Sequence, residues 1–146
     1  LEAEVKKILA DVVGEIPGIK ILREAEVPGM TRVWRADIVV EWRGSEGEKA
    51  PEVIIYCKAI GEHVKSATYG THMARDYMRL NDLRLHLDFV DFYLIVNRPR
   101  REGEYPKLDW REIFKSIGVS MINFGDVLEQ EEFRSKIAER FEHFKR

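Results

Sequence analysis

The sequence predicts an α/β domain: a mixed sheet, in which an antiparallel three-strand meander is continued by parallel strands, flanked by helices in the order αβββαβαβα. Three observations predict it. Apolar residues recur with helical spacing at the start of the chain and again after residue 66, while the stretch between them alternates with a period of two. Three strand-like runs follow one another with only short turns between them, as hairpin-linked strands do. Phe89 to Val96, read Phe-Val-Asp-Phe-Tyr-Leu-Ile-Val, is nearly continuously apolar. Such a run belongs to a strand covered on both faces, usually parallel to a neighbour and reached by a crossover helix.

From Leu1 to Ile16, Val5, Ile8, Leu9, Val12, Val13 and Ile16 form the one-sided stripe of a helix, closed by Pro17-Gly18. Ile19 to Val27 reads as a first strand, stopped by Pro28-Gly29. Arg32 to Trp42 is a second, with Ala36, Ile38, Val40 and Trp42 on one face and Asp37, Val39 and Glu41 on the other. Arg43 to Ala50 is a turn. Glu52 to Ile60 is a third strand, with Val53, Ile55, Cys57 and Ala59 on an apolar face and Glu52, Ile54, Tyr56 and Lys58 opposite. The meander is expected to bury one side and leave the other mixed. Ser66 to Leu87 is helical, with Met73, Tyr77, Leu80 and Leu87 on its stripe and Arg75, Asp76, Arg79 and Asp82 off it. The strand Phe89–Val96 follows, then a polar loop over Asn97–Lys107, a short helix over Asp109–Ile117, a strand over Val119–Phe124 and a closing helix over Asp126–Phe144.

The chain of 146 residues can bury one core and is too short for two ordinary domains. Hydrophobic residues make up 45% and charged residues 34%, a globular balance with no apolar stretch of membrane-spanning length and no signal-peptide pattern. No membrane partner is expected. Leu1 rather than Met opens the chain, so a single domain cut from something longer is an open expectation. Cys57 is the only cysteine, which excludes an internal disulfide and makes a reducing, cytoplasmic setting the default. A net charge of -2 excludes a global basic field, so any nucleic-acid binding must come from a local patch.

Two residues carry the chemistry. Asp37 lies in Arg35-Ala36-Asp37-Ile38-Val39-Val40, and Lys58 ends the apolar strand as Tyr56-Cys57-Lys58. With this element order, the chain resembles the PD-(D/E)xK nuclease superfamily, the restriction-endonuclease-like fold, over residues 1 to 97. The resemblance implies a metal-binding acid at Asp37, a triplet at Tyr56-Cys57-Lys58, and Mg²⁺ or Mn²⁺ as cofactor. It also implies that the Cys57 carbonyl can be a ligand and that Lys58 serves the attacking water or the phosphate. Ala36 stands where the motif has proline. Tyr56 stands where it has a carboxylate, and a neutral phenol is a poor hard-ion ligand. Glu62, Asp76 and Glu4 are the candidate replacement acids; Glu52 lies four residues from Tyr56, roughly 13 Å along a strand, which is too far.

Each of these residues has a bland reading. Asp37 and Lys58 can be an ordinary cross-strand ion pair, worth little, and Tyr56 a packed aromatic over a disused pocket. His63 and His72 have no recognised metal spacing, and Cys57 reads as a small core residue. Two basic groupings are candidate nucleic-acid contacts: Arg75 and Arg79 on the second long helix, and Arg98, Arg100, Arg101 and Lys107 in the loop after the fourth strand. Acids dilute both groups, so a solvated face is the competing explanation. Three functions follow: a metal-dependent nuclease acting on DNA or RNA phosphodiesters through a variant site; a catalytically inactive nuclease-fold module that binds nucleic acid or protein; and a structural domain of a longer chain. A homodimer or larger complex is implied by family analogy alone.

Overall fold

The computed structural model describes residues 1–61, 66–97 and 108–145. The predicted order holds: α1 (Glu2–Val13), β1 (Ile19–Pro28), β2 (Val33–Arg43), β3 (Lys49–Lys58), α2 (Ser66–His86), β4 (Asp91–Val96), α3 (Trp110–Lys115), β5 (Val119–Asn123) and α4 (Val127–Arg140), followed by a 3₁₀ turn, Glu142–Lys145. The sheet runs β1-β2-β3-β4-β5, with every strand beside its sequence neighbour. β1/β2 and β2/β3 pair antiparallel; β3/β4 and β4/β5 pair parallel. Short connections, 29–32 and 44–48, suffice for the antiparallel pairs. Each parallel pair needs a crossover, which α2 and α3 supply.

Both faces of the sheet are covered, and here the structure corrects the expected mixed side of the meander. α1 and α4 bury Val5, Leu9, Phe133 and Ile137 against Ile38, Val40, Val53, Ile55 and Ile95. α2 and α3 bury Met73, Leu80, Leu83 and Phe114 against Val39, Ile54, Tyr56, Phe92 and Leu94. Ile54 and Tyr56, placed by alternation on an open face, are therefore core; Ala59, placed on the apolar face, is exposed just beyond the strand end. α2 also buries two acids that the stripe left outside it, Asp76 and Asp82. Asp82 accepts from Thr31 N and Oγ1 and from Trp34 Nε1, at 2.7 Å for the indole, and so pins the β1–β2 hairpin to the helix. Those bonds favour the ionised form and lower the Asp82 pKa.

Local devices set the register. Val40 pairs with Val53 but Glu41 with Pro51, so Glu52 is the extra residue of a β-bulge. The bulge turns Glu52 to Arg140 of α4, 2.5 Å away. α3 and α4 begin at capping aspartates: Asp109 accepts from Glu112 N and Asp126 from Leu128 N and Glu129 N. Gly118 takes φ +76 between α3 and β5, a left-handed turn that glycine enters without a Cβ clash. No helix among the described residues is long and apolar enough to cross a membrane.

Candidate functional site at the carboxyl ends of β3 and β4

Strand alternation breaks at Asp37, and the break decides where its carboxylate goes. Ala36 packs in the α2/α3 core, whereas Ile38 packs in the α1/α4 core. In a regular strand they would share a face. On the neighbouring strand Arg23 pairs with Ile38 and Ala25 with Ala36, and the residue between them, Glu24, has φ +51. The two strands thus reverse faces together at Glu24 and Asp37. The β2/β3 ladder stops at Ile38–Ile55, and the Asp37 carboxylate accepts a 2.7 Å hydrogen bond from Cys57 N. A strand amide points within the sheet, so Asp37 reaches along the sheet into the split between β2 and β3. The odd/even argument from the sequence fails at Asp37, as it does at the Glu52 bulge.

Lys58, the last residue of β3, turns toward α2. Its Nζ lies 3.3 Å from Asp76 Oδ2, close enough for an ion pair though not aligned as a hydrogen bond. Arg79, one turn further along α2, approaches Asp76 Oδ1 at 3.8 Å, with its guanidinium carbon 5.9 Å from the centre of the Tyr56 ring. Asp76 is 1% exposed and Tyr56 3%. Burial pushes the Asp76 carboxyl above its ordinary range, and Lys58, Arg79 and His72 pull it back only in part. Burial likewise raises Asp37; the Cys57 amide opposes the shift, while Glu2 and Asp76 add to it. The Tyr56 phenol is pushed upward by burial and stays neutral at any physiological pH. Its Oη has no hydrogen-bond partner among the described residues.

Of the sequence-predicted residues, the structure brings together Asp37, Tyr56, Cys57, Lys58, Asp76 and Arg79. Arg75 is exposed on α2. Glu4 is not brought in: it is exposed and faces the amino terminus of Leu1 at 3.7 Å. The α1 acid that reaches Asp37 electrostatically is Glu2, which Arg23 holds at 2.9 Å. Sequence reasoning missed Glu2 because it chose Glu4 by family analogy and did not use the phase that the Val5, Ile8, Leu9 stripe gives. It also missed Asn97, whose side-chain amide accepts from Ile60 N at 2.7 Å and donates to Ile60 O at 3.3 Å, tying the exit of β3 to the end of β4. Glu62, Arg98, Arg100, Arg101 and Lys107 lie outside the described residues. Cys57 is partly buried against the α1/α4 core with its thiol pushed up to about 12 by burial, which suits a packing residue.

Among the described residues, the side chains that the resemblance would assign to a divalent ion are partly committed to other partners. Among the described residues no group of three or more His, Cys, Asp or Glu side chains converges as a metal cage. Asp37 spends one oxygen on an amide, and Asp76 already faces the Lys58 ammonium. The triplet's acid position offers a buried neutral phenol.

No family model matches the chain, and no curated protein matches it. Among solved structures, the fold is similar to that of a protein of unknown function, AF1548, with a TM-score of 0.52 and 17% sequence identity. The match covers 85% of this chain and 56% of that one, so the chain spans little more than half of that protein's length. At this identity the likeness concerns the fold alone.

Proposed function

We propose that this domain is a nuclease-fold module that binds nucleic acid through its phosphate backbone without cleaving it. One observation carries the reading: the position that would supply the second carboxylate is Tyr56, sealed beneath α2, while the lysine two residues on is committed to a buried protein acid. A charge that faces Asp76 cannot at the same time activate water at Asp37. The binding half of the proposal is supported by location. Lys58 ends β3 beside the end of β4, the edge at which open α/β sheets receive ligands; Arg79 approaches the same Asp76, and Arg75 is exposed on the same helix. Phosphates take cations of this kind as salt-sensitive contacts.

A second reading has a specific observation behind it. Asp76, one of the three candidate replacement acids, is the acid that the structure brings to Lys58. In that reading Mg²⁺ or Mn²⁺ would use Asp37 and Asp76, and the domain would be a nuclease with its acid moved to α2. Labelled single- and double-stranded DNA and RNA, incubated with Mg²⁺, Mn²⁺ or EDTA, separate the two. The binding module predicts retention of oligonucleotide that is the same in EDTA, weaker in Arg75→Ala/Arg79→Ala, and without product. Metal-dependent product that disappears in both Asp37→Ala and Asp76→Asn would overturn it in favour of the nuclease.

A further inference from the structure

We propose that the tip of the β1–β2 hairpin is a phosphate contact made by Arg32; this rests on the reading of the domain as a nucleic-acid-binding module. Residues 29–32 join the two strands, and α2 holds them from beneath. Met30 N donates to the Asp82 carbonyl, while the Asp82 carboxylate accepts from Thr31 N, Thr31 Oγ1 and Trp34 Nε1. Gly29 N closes the turn on the Arg32 carbonyl at 2.8 Å. On this base the Arg32 guanidinium lies over the Trp34 ring, its carbon 4.4 Å from the ring centre. One buried acid thus fixes both the turn that carries Arg32 and the indole on which it rests.

Arg32 is exposed and forms no ion pair among the described residues. A contact through the ring face leaves the in-plane N–H donors of a guanidinium free, and that fork matches phosphate oxygens. A long side chain placed in advance also loses less freedom on binding. Arg35, three residues on, lies opposite Glu26 in the ladder and is balanced there. β2 runs antiparallel to β3, so the hairpin before it stands at the end of the sheet where Lys58 leaves β3. Asp82 follows Arg75 by two turns of α2, about 10 Å along the axis and on the same stripe. The hairpin tip therefore sits on the stripe that carries the exposed Arg75, and a strand lying along α2 meets both. One arginine on an open turn holds a lone phosphate ion poorly. The ligand that suits this arrangement is a polyanion long enough to reach Arg75 as well.

Anisotropy of a labelled oligonucleotide in EDTA, across about 50 to 200 mM salt, tests this. Arg32→Gln is expected to weaken binding about fivefold or more at low salt, to lower the salt slope by about one, and to leave the far-ultraviolet circular dichroism spectrum unchanged. Arg32→Lys keeps the charge without the fork; it should keep the slope and bind between the wild type and Arg32→Gln. Lys20→Ala removes a positive charge near the other end of β1 and should change neither quantity. Arg32→Gln indistinguishable from Lys20→Ala overturns the proposal, as does Arg32→Lys no tighter than Arg32→Gln. Weaker binding of Arg32→Gln at an unchanged slope also overturns it, and assigns the residue to base stacking. Binding that falls in Arg75→Ala but not in Arg32→Gln removes the hairpin contact alone and leaves the binding module standing. A wild-type chain that retains no oligonucleotide overturns both.

Discussion

Replacing Tyr56 with phenylalanine is expected to stabilise the domain, against the usual direction for a buried tyrosine. The substitution removes Oη alone: the ring keeps its place under α2 among Ile54, Met73 and Leu80 and keeps its contact with Arg79. A buried hydroxyl without a partner costs about 1–3 kcal/mol of desolvation, and no protein hydrogen bond is lost with it. Setting about 1 kcal/mol as the gain, the melting temperature of a chain of this size should rise by about 3 °C. Urea unfolding in EDTA, followed by tryptophan fluorescence, measures this as a higher midpoint at unchanged slope. A loss of about 1 kcal/mol or more would refute the reasoning. It would mean that in solution the hydroxyl donates to a species held between Tyr56 and Asp76, and that the position is a working part of a site rather than a seal over one.

Asp76 and Asp37 both have folded-state pKa values raised above the ordinary carboxylate value, so each contributes stability that is fully present below that value and is lost as pH rises through the raised one. Asp76→Asn should therefore gain on the wild type between mildly acidic and neutral pH; a stability difference that is flat or runs the other way across paired urea titrations contradicts the burial argument. Asp37→Ala should cost about 1–2 kcal/mol by leaving the Cys57 amide without its acceptor, and Asp37→Asn, which keeps an acceptor oxygen, should cost less. Equal losses in thermal melts would remove the amide from the explanation. The Cys57 thiol, with its pKa pushed up to about 12, should react with a thiol-specific reagent at neutral pH at least about a hundredfold more slowly in the folded than in the urea-unfolded chain. Gly29→Ala should destabilise by about 1–3 kcal/mol, because its Cβ would lie 2.5 Å from Asp82 Oδ2 and push aside the carboxylate that holds Thr31 and Trp34; a neutral result in the same melts would show that the carboxylate can yield.

The element order was legible because it rests on periodicity over many residues, and β4 was read as doubly buried from its nearly continuous apolar run. Side-chain direction was legible only where strands stay regular. It failed at Asp37, where two strands reverse faces together, and at Glu52, where an inserted residue points away from the alternation; neither event leaves a mark in composition. The burial of Asp76 was hidden for a different reason. Its helix position belongs to the polar face by pattern, and only the arrival of Lys58 from a distant strand makes an acid acceptable there. Glu2 and Glu4 lie about 200° apart on a helix, so the apolar stripe of α1 carried the phase to separate them; Glu4 was chosen by family analogy instead.

The hydrogen bond from the Cys57 amide to Asp37 gives that aspartate a reason to exist that owes nothing to chemistry on a substrate. Where β2 and β3 part, a peptide carbonyl is missing from the ladder, and the carboxylate stands in for it. Any chain with this strand split would be penalised for losing that side chain, whether or not it acts on a substrate. An aspartate at such a strand split is a mark of architecture before it is a mark of activity.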